Sequence, residues 1–167
     1  MPVSCRRFEF CYDSAVGDTL VETSLMMSCE KCGRYFIRCC DYDSDQPDYA
    51  AEPLRPDFCR HRWPLTIVDG ACGNNGQYYA SGGLGIARGS SAQWQYSRQP
   101  PGQLVTLLDH GRFTNQAVEL MAVIVALEML LSIAGSNRDL LSEHTYEHVM
   151  GTDSAYVVEG IVYWYYK

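Results

Sequence analysis

The chain has 167 residues, which is long enough for one ordinary domain and a small appendage, and its 47% hydrophobic content argues against a disordered protein. Its formal net charge of −7 excludes the broad basic surface that most nucleic-acid-binding proteins carry. The acidic balance holds in both parts, with eight Lys/Arg against eleven Asp/Glu in residues 1–64 and five against nine in residues 65–167.

The first fifteen residues, MPVSCRRFEFCYDSA, lack the continuous apolar core of a secretory signal. We therefore expect an intracellular protein, nuclear or cytoplasmic, and not a secreted one. Eight cysteines in a reducing compartment favour metal binding or buried thiols over a disulfide framework. Seven of the eight lie before residue 60, so their chemistry belongs to the N-terminal part of the chain.

The segment Cys29–Gly33, CEKCG, has the form of a zinc knuckle, in which a tight turn directs two thiolates at one ion. Cys29 and Cys32 would be the first two ligands. A tetrahedral site needs two more, and the candidates are Cys39, Cys40, Cys59 and His61. The alternative is that the cysteines at 39 and 40 are small buried hydrophobic residues.

An acidic stretch follows at residues 41–48, DYDSDQPD, but it lacks the glycine that a calcium-binding EF-hand loop needs at its sixth position. It is interpreted as a solvated loop. Prolines at positions 53, 56 and 64 then indicate a linker. The sequence predicts a Cys-rich extension at residues 1–62, stabilised by zinc if the ligand set is complete, and a core domain at residues 63–167.

The core is predicted to be α/β, with antiparallel strands at about residues 65–71, 80–88 and 93–98 joined by Gly-rich and Ser-rich turns. A fourth strand at about residues 146–152 is expected to lie parallel to the first, through a right-handed crossover.

Three acids occupy unusual positions in these elements. Asp69 follows the apolar run LTIV, so a carboxylate lies within a predicted buried strand, where it would be costly without a cation or donors. The alternative is that Asp69 ends an edge strand and caps a turn.

Glu119 lies in the predicted helix 114–134, TNQAVELMAVIVALEMLLSIA, capped by Thr114 or Asn115 and closed by Gly135. It shares a face with small apolar residues, whereas Glu128 lies on the opposite, solvent-facing side. Two acids within this apolar run argue against a membrane span.

Asp153 lies at the junction between the fourth strand and a helix predicted to begin at Asp153 or Ser154, where an aspartate is also a common helix N-cap. An open α/β sheet brings such junctions and strand ends together. Converging carboxylates without basic partners require hard cations, for which Mg²⁺ or Mn²⁺ is suited.

Three motifs in this order, DGACGNNG, GRFTNQAVELMAVIVALEML and GTDSAYVVEGIVYW, resemble type 1 ribonuclease H over residues 65–164. The resemblance implies a ribonuclease H-like mixed sheet. It also implies endonucleolytic hydrolysis of the RNA strand of RNA–DNA hybrids by two bound Mg²⁺ or Mn²⁺ ions. Asp69, Glu119 and Asp153 match three of the family's four metal-binding carboxylates.

The resemblance also implies a surface for the hybrid. Asn75, Asn115 and Gln116 match residues that contact RNA 2′-hydroxyls and base edges in the minor groove, a task that suits short amides. Arg112 and Thr114 match positions that hold a DNA phosphate, and Cys72 lies by the same surface. Turn formation at Asn75 and helix capping at Asn115 are alternative roles that are compatible with binding.

The chain departs from the family after Trp164, where the family continues with a fifth strand, a His-bearing loop and a last helix carrying the fourth acid. From this difference we expect weak binding and slow cleavage of hybrid. A second class of function therefore stays open, in which the chain is an inactive remnant that binds nucleic acid or protein.

Overall fold

The computed structural model of the chain describes residues 26–37, 61, 63–106, 108, 112–136 and 148–164. Six strands lie within these residues: β1 (Met26–Ser28), β2 (Tyr35–Ile37), β3 (Leu65–Gly73), β4 (Ser81–Ala87), β5 (Gln95–Arg98) and β6 (Val149–Gly151). The helices are α1 (Gly102–Val105), α2 (Asn115–Ser136) and α3 (Ala155–Glu159), with a 3₁₀ turn at Ala92–Trp94 and a π turn at Gly160–Trp164.

The central sheet is mixed, with strand order β5-β4-β3-β6. β3 pairs with β4 and β4 with β5 in antiparallel fashion, while β3 and β6 are parallel. The predicted α/β class, the three antiparallel strands and the parallel fourth strand are therefore confirmed, although β6 is shorter than the segment 146–152 predicted from the sequence.

Helix α2 covers one face of this sheet. Its buried residues form the main core with Val68 of β3, Leu84 and Ile86 of β4, and Val157 of α3; they are Val118, Met121, Ala122, Val123, Val125 and Ala126. The Thr114 hydroxyl accepts a hydrogen bond from the Ala117 amide, so Thr114 is the N-cap. The helix continues to Ser136, one residue past Gly135, where the sequence predicted it to end.

The stretch Asn115–Ile133 of α2 is long and apolar enough to cross a membrane by length and composition, with a mean hydropathy of 1.9. In the fold it packs against β3 and β4, which is the ordinary place of a core helix. Glu128 lies on its exposed side, as its predicted position opposite Glu119 requires.

The β1–β2 hairpin was not predicted from the sequence. It joins the start of the central sheet, since the Ile37 amide donates to the Trp63 carbonyl at 2.9 Å and Phe36 forms an isolated bridge with Pro64. A second hydrophobic cluster contains Ile37, Trp63, Leu65 and Val149. The described part of the Cys-rich segment therefore packs directly on the core.

Helix α2 approaches the sheet closely at Gly70 of β3. A Cβ atom built there would lie less than 3.0 Å from backbone atoms of Val118 and Glu119, a separation that real Cβ atoms essentially never show. Because Gly70 has no side chain, the turn of α2 that carries Glu119 can lie directly against β3.

Replacing Gly70 with alanine is expected to force the helix away from the sheet and to lower the free energy of unfolding by about 3 kcal/mol. Gly83→Ala is the matched control, because Gly83 lies on the neighbouring strand and a Cβ there meets nothing within 4 Å. Denaturant unfolding of both variants measures the difference, and equal stabilities would contradict the close approach.

Candidate active site and metal centre

Glu119 is held at the first turns of α2 by two hydrogen bonds to its carboxylate. Oε1 accepts from the Asn115 side-chain amide at 2.7 Å, and Oε2 accepts from the Ser154 hydroxyl at 2.5 Å. The side chain is half-buried. Because each oxygen keeps a second lone pair, Glu119 is oriented by these bonds and still able to ligate a cation.

Asp69 lies in β3 next to Gly70, opposite Gly85 of β4. Side chains alternate along a strand, so Asp69 points away from α2 while Gly70 faces it. The carboxylate is exposed and lies in a shallow depression on the face of the sheet that no described helix covers, lined also by Gly85, Gln95 and Ser97.

The strands β3 and β6 are paired only from Leu65 to Ile67, opposite Val149 to Gly151. After Gly151 the chain turns towards α2, where Ser154 caps α3 by accepting from the Val157 amide. Ser154 and not Asp153 is therefore the cap, which leaves the exposed Asp153 carboxylate without that role. The pairing of the two parallel strands therefore ends at Ile67 and Gly151.

The three acids are carried by segments that contact one another. Glu119 lies against Gly70, the neighbour of Asp69, and bonds to Ser154, the neighbour of Asp153. Within the described residues, the three carboxylates do not form a group whose ligand atoms all lie within 4.8 Å of one another. The predicted convergence of the three acids on shared Mg²⁺ or Mn²⁺ ions is therefore not supported by this test and stays a prediction from the sequence.

Two of the residues predicted to contact a hybrid, Asn75 and Asn115, are connected to Glu119 by hydrogen bonds. The Asn75 side-chain oxygen accepts from the Asn115 amide at 3.0 Å, which joins the turn after β3 to the start of α2. Asn74 has a φ of 57° and Gly76 a φ of 74°, so the turn uses the left-handed conformations that these residues tolerate.

The other predicted binding residues differ in their surroundings. Arg112 and Gln116 are exposed, and Thr114 is the helix cap. Cys72 is half-buried against the main core, with its thiol 3.7 Å from the Gly73 carbonyl oxygen. The fold thus gives Cys72 a packing role that the sequence did not predict.

Two features of this region were missed from the sequence. Ser154 contacts Glu119 across 35 positions of the chain, a relation that no local pattern indicates. Tyr78 and Tyr79, in the turn beyond Asn75, are 87% and 56% exposed and their rings meet edge to face. Two adjacent tyrosines in a turn were a visible signal for an exposed aromatic pair.

A separate cluster of potential metal ligands lies beside the β1–β2 hairpin. Cys29, Cys32 and His61 each offer one ligand atom, and these atoms all lie within 4.8 Å of one another. The Cys32 sulfur is 3.3 Å from His61 Nε2. These three residues could bind one metal ion, which is compatible with the predicted zinc site, while the other candidate ligands Cys39, Cys40 and Cys59 lie outside the described residues.

Local contacts hold this cluster in place. Gly33 has a φ of 69°, which lets the chain reverse directly after Cys32. The His61 ring stacks on Phe36 with centroids 4.6 Å apart and an interplanar angle of 9°. The Cys32 carbonyl oxygen accepts a hydrogen bond from the Trp94 indole at 3.0 Å. The ligand atoms are therefore positioned by the core as well as by their own turn.

Comparison of the chain with protein-family models, with curated proteins and with solved structures finds no match.

Proposed function

We propose that the chain is a metal-dependent nuclease that hydrolyses the RNA strand of RNA–DNA hybrids. The observation that carries the proposal is the position of Glu119, which contacts Gly70 next to Asp69 and bonds to Ser154 next to Asp153. Residues of the three motifs that resemble type 1 ribonuclease H thus contact one another at Glu119, through its backbone and its carboxylate respectively.

The donor set suits hard divalent cations. Asp69, Glu119 and Asp153 offer only carboxylate oxygens, which Mg²⁺ and Mn²⁺ prefer, and among the described residues none of them forms an ion pair with a basic side chain. Two bound ions would activate a water molecule and stabilise charge on the phosphodiester. Asn115 and Ser154 would keep the Glu119 carboxylate in position for them.

Substrate recognition is proposed for the surface beside these acids. The side-chain amides of Asn75, Asn115 and the exposed Gln116 offer donors and acceptors that suit RNA 2′-hydroxyls in a minor groove, and the Asn115 backbone N–H donates to the Asn75 side-chain oxygen. The exposed Arg112 guanidinium is suited to a phosphate of the DNA strand. The bond from Asn115 to Asn75 would keep the two parts of this surface in a fixed relation.

In a cleavage assay with end-labelled hybrid and Mg²⁺ or Mn²⁺, we expect the RNA strand to be cut and an all-RNA duplex to stay intact. Asp69→Asn and Glu119→Gln should each lower the rate by at least about 100-fold, since loss of a metal ligand should exceed the effect of losing a neighbouring group. Glu128→Gln, a change on the exposed side of the same helix, should leave the rate unchanged.

Two results would contradict the nuclease. Equal cleavage rates for Glu119→Gln and Glu128→Gln would show that Glu119 is not part of the catalytic site. Binding of hybrid without cleavage, in both metals, would favour the alternative of a non-catalytic nucleic-acid-binding module.

We also propose that Cys29, Cys32 and His61 hold a structural zinc ion. Tetrahedral coordination with Zn–S near 2.3 Å and Zn–N near 2.0–2.1 Å requires sulfur and nitrogen ligands about 3.6 Å apart, close to the 3.3 Å between Cys32 and His61. A fourth ligand would come from Cys39, Cys40 or Cys59, as predicted from the sequence. The ion would fasten the β1–β2 hairpin to the segment that enters β3.

Elemental analysis of untagged protein purified without chelator should find one zinc per chain. Cys32→Ser should lose that zinc and lower the melting temperature, because the turn would keep only two of its described ligands. Cys72→Ser is the matched control, since Cys72 lies in β3 outside the cluster, and it should retain the metal. Zinc-free wild-type protein, or equal zinc in both variants, would contradict this assignment.

A further inference from the structure

Two arginines share one tryptophan at the end of the sheet where β4 stops and β3 begins. The Arg34 guanidinium carbon lies 4.3 Å from the centroid of the Trp94 ring, and that of Arg88 lies 5.7 Å from it. Each contact is favourable by itself. Together they hold two like charges near one ring, in a chain whose net charge is −7.

Neither guanidinium is neutralised within the part of the chain that the structure describes. Arg34 and Arg88 form no ion pair with a carboxylate there. The Arg34 Nε atom is buried without a hydrogen-bond partner. Burial and the charge of Arg34 lower the pKa of Arg88. A buried donor beside a repelling charge is unfavourable unless an acceptor with negative charge is present.

His148, which precedes β6, is affected by the positive charges of the same two arginines. Part of His148 is exposed to solvent. Its pKa is nevertheless lowered to about 4, first by partial burial of the ring and then by the positive charges of Arg88 and Arg34. Its ordinary value is 6.5, so the imidazole is neutral at physiological pH and adds no third charge. A neutral ring supplies one N–H donor at the edge of the cluster.

The backbone holds the cluster firmly. The Tyr35 amide donates to the Arg88 carbonyl at 2.8 Å, and the Arg88 amide donates to the Trp94 carbonyl at 2.9 Å. The Ser90 amide donates to the Gly33 carbonyl at 3.0 Å. Both arginines are therefore presented from paired backbone and require little ordering when a ligand binds.

We propose that Arg34 and Arg88 form a phosphate-binding site for the backbone of the nucleic acid, with Trp94 as the platform on which both guanidiniums rest. Guanidinium groups match the oxygens of a phosphodiester in bidentate geometry, and within the described residues neither guanidinium forms an ion pair with a carboxylate. This inference rests on the proposed function for its choice of nucleic acid over a free oxyanion.

The position of the cluster suits a duplex that also reaches the acids. Asp69 pairs with Gly85 of β4, and Arg88 lies three residues further along the chain, about 10 Å away at 3.4 Å per residue. Duplex DNA rises 3.4 Å per base pair, so the two sites are separated by about three base pairs. A duplex that lies along β4 would span this distance.

The test measures how hybrid binding depends on salt, since each phosphate contact releases counterions. With Mg²⁺ replaced by Ca²⁺, Arg34→Gln and Arg88→Gln should each weaken binding and reduce the slope of log K against log [salt] by about 0.7–0.9. Arg98→Gln is the matched control, because Arg98 also lies over an aromatic ring, that of Tyr96 at 5.4 Å, outside the cluster. It should leave the slope unchanged, and equal slopes for all three variants would overturn the site.

A second measurement needs no variant and covers the case in which one of them fails to fold. In ¹H–¹⁵N spectra of wild-type protein, micromolar concentrations of hybrid should shift the Nε–H signals of Arg34 and Arg88. Inorganic phosphate should shift the same signals only at millimolar concentrations. Shifts with phosphate but not with hybrid, or with neither, would overturn the proposal.

The phosphate-binding site and the nuclease activity can be tested independently of each other. Cleavage that depends on Glu119, combined with salt slopes unaffected at Arg34 and Arg88, would remove the phosphate site alone. Altered slopes in a protein that never cleaves hybrid would remove the nuclease and retain the phosphate site.

Discussion

The contact between Gly70 and the backbone of α2 is the constraint on which the rest of the fold depends. Because Gly70 has no side chain, the turn of α2 that carries Glu119 lies directly on β3 beside Asp69. The same approach buries Val118 and Ala122 completely, so the main core and the placement of the acid have one cause. From there the Glu119 carboxylate reaches Ser154, which fixes the chain as it leaves β6.

Much of this arrangement could be predicted from the sequence, because it depends on local sequence patterns. The sheet order was predicted from the β-branched run before Asp69 and from the Gly-rich turns. The helix α2 was predicted from its long apolar segment. The predicted zinc knuckle likewise depended on a short motif, CEKCG, with its glycine at the left-handed position. In these cases the residues that decide the structure lie close together in the chain.

The remaining features depend on contacts between distant residues. The strands β1 and β2 have three residues each, too few for a pattern, and they form because Ile37 pairs with Trp63. The bond from Ser154 to Glu119 and the meeting of Arg34 with Arg88 over Trp94 arise from tertiary packing alone. Helix α2 passes Gly135 because the cost of one glycine, about 1 kcal/mol, is small beside the packing of the helix.

Mn²⁺ tests directly whether the three acids share cations, because a bound Mn²⁺ ion broadens the NMR signals of nearby nuclei. Titrated into ¹⁵N-labelled protein, Mn²⁺ should broaden the amide signals of Gly70, Glu119 and Asp153 together at one concentration, and Asp69→Asn should abolish this effect. Broadening confined to the Cys29–Gly33 turn, or broadening at the acids that survives Asp69→Asn, would contradict a shared metal centre.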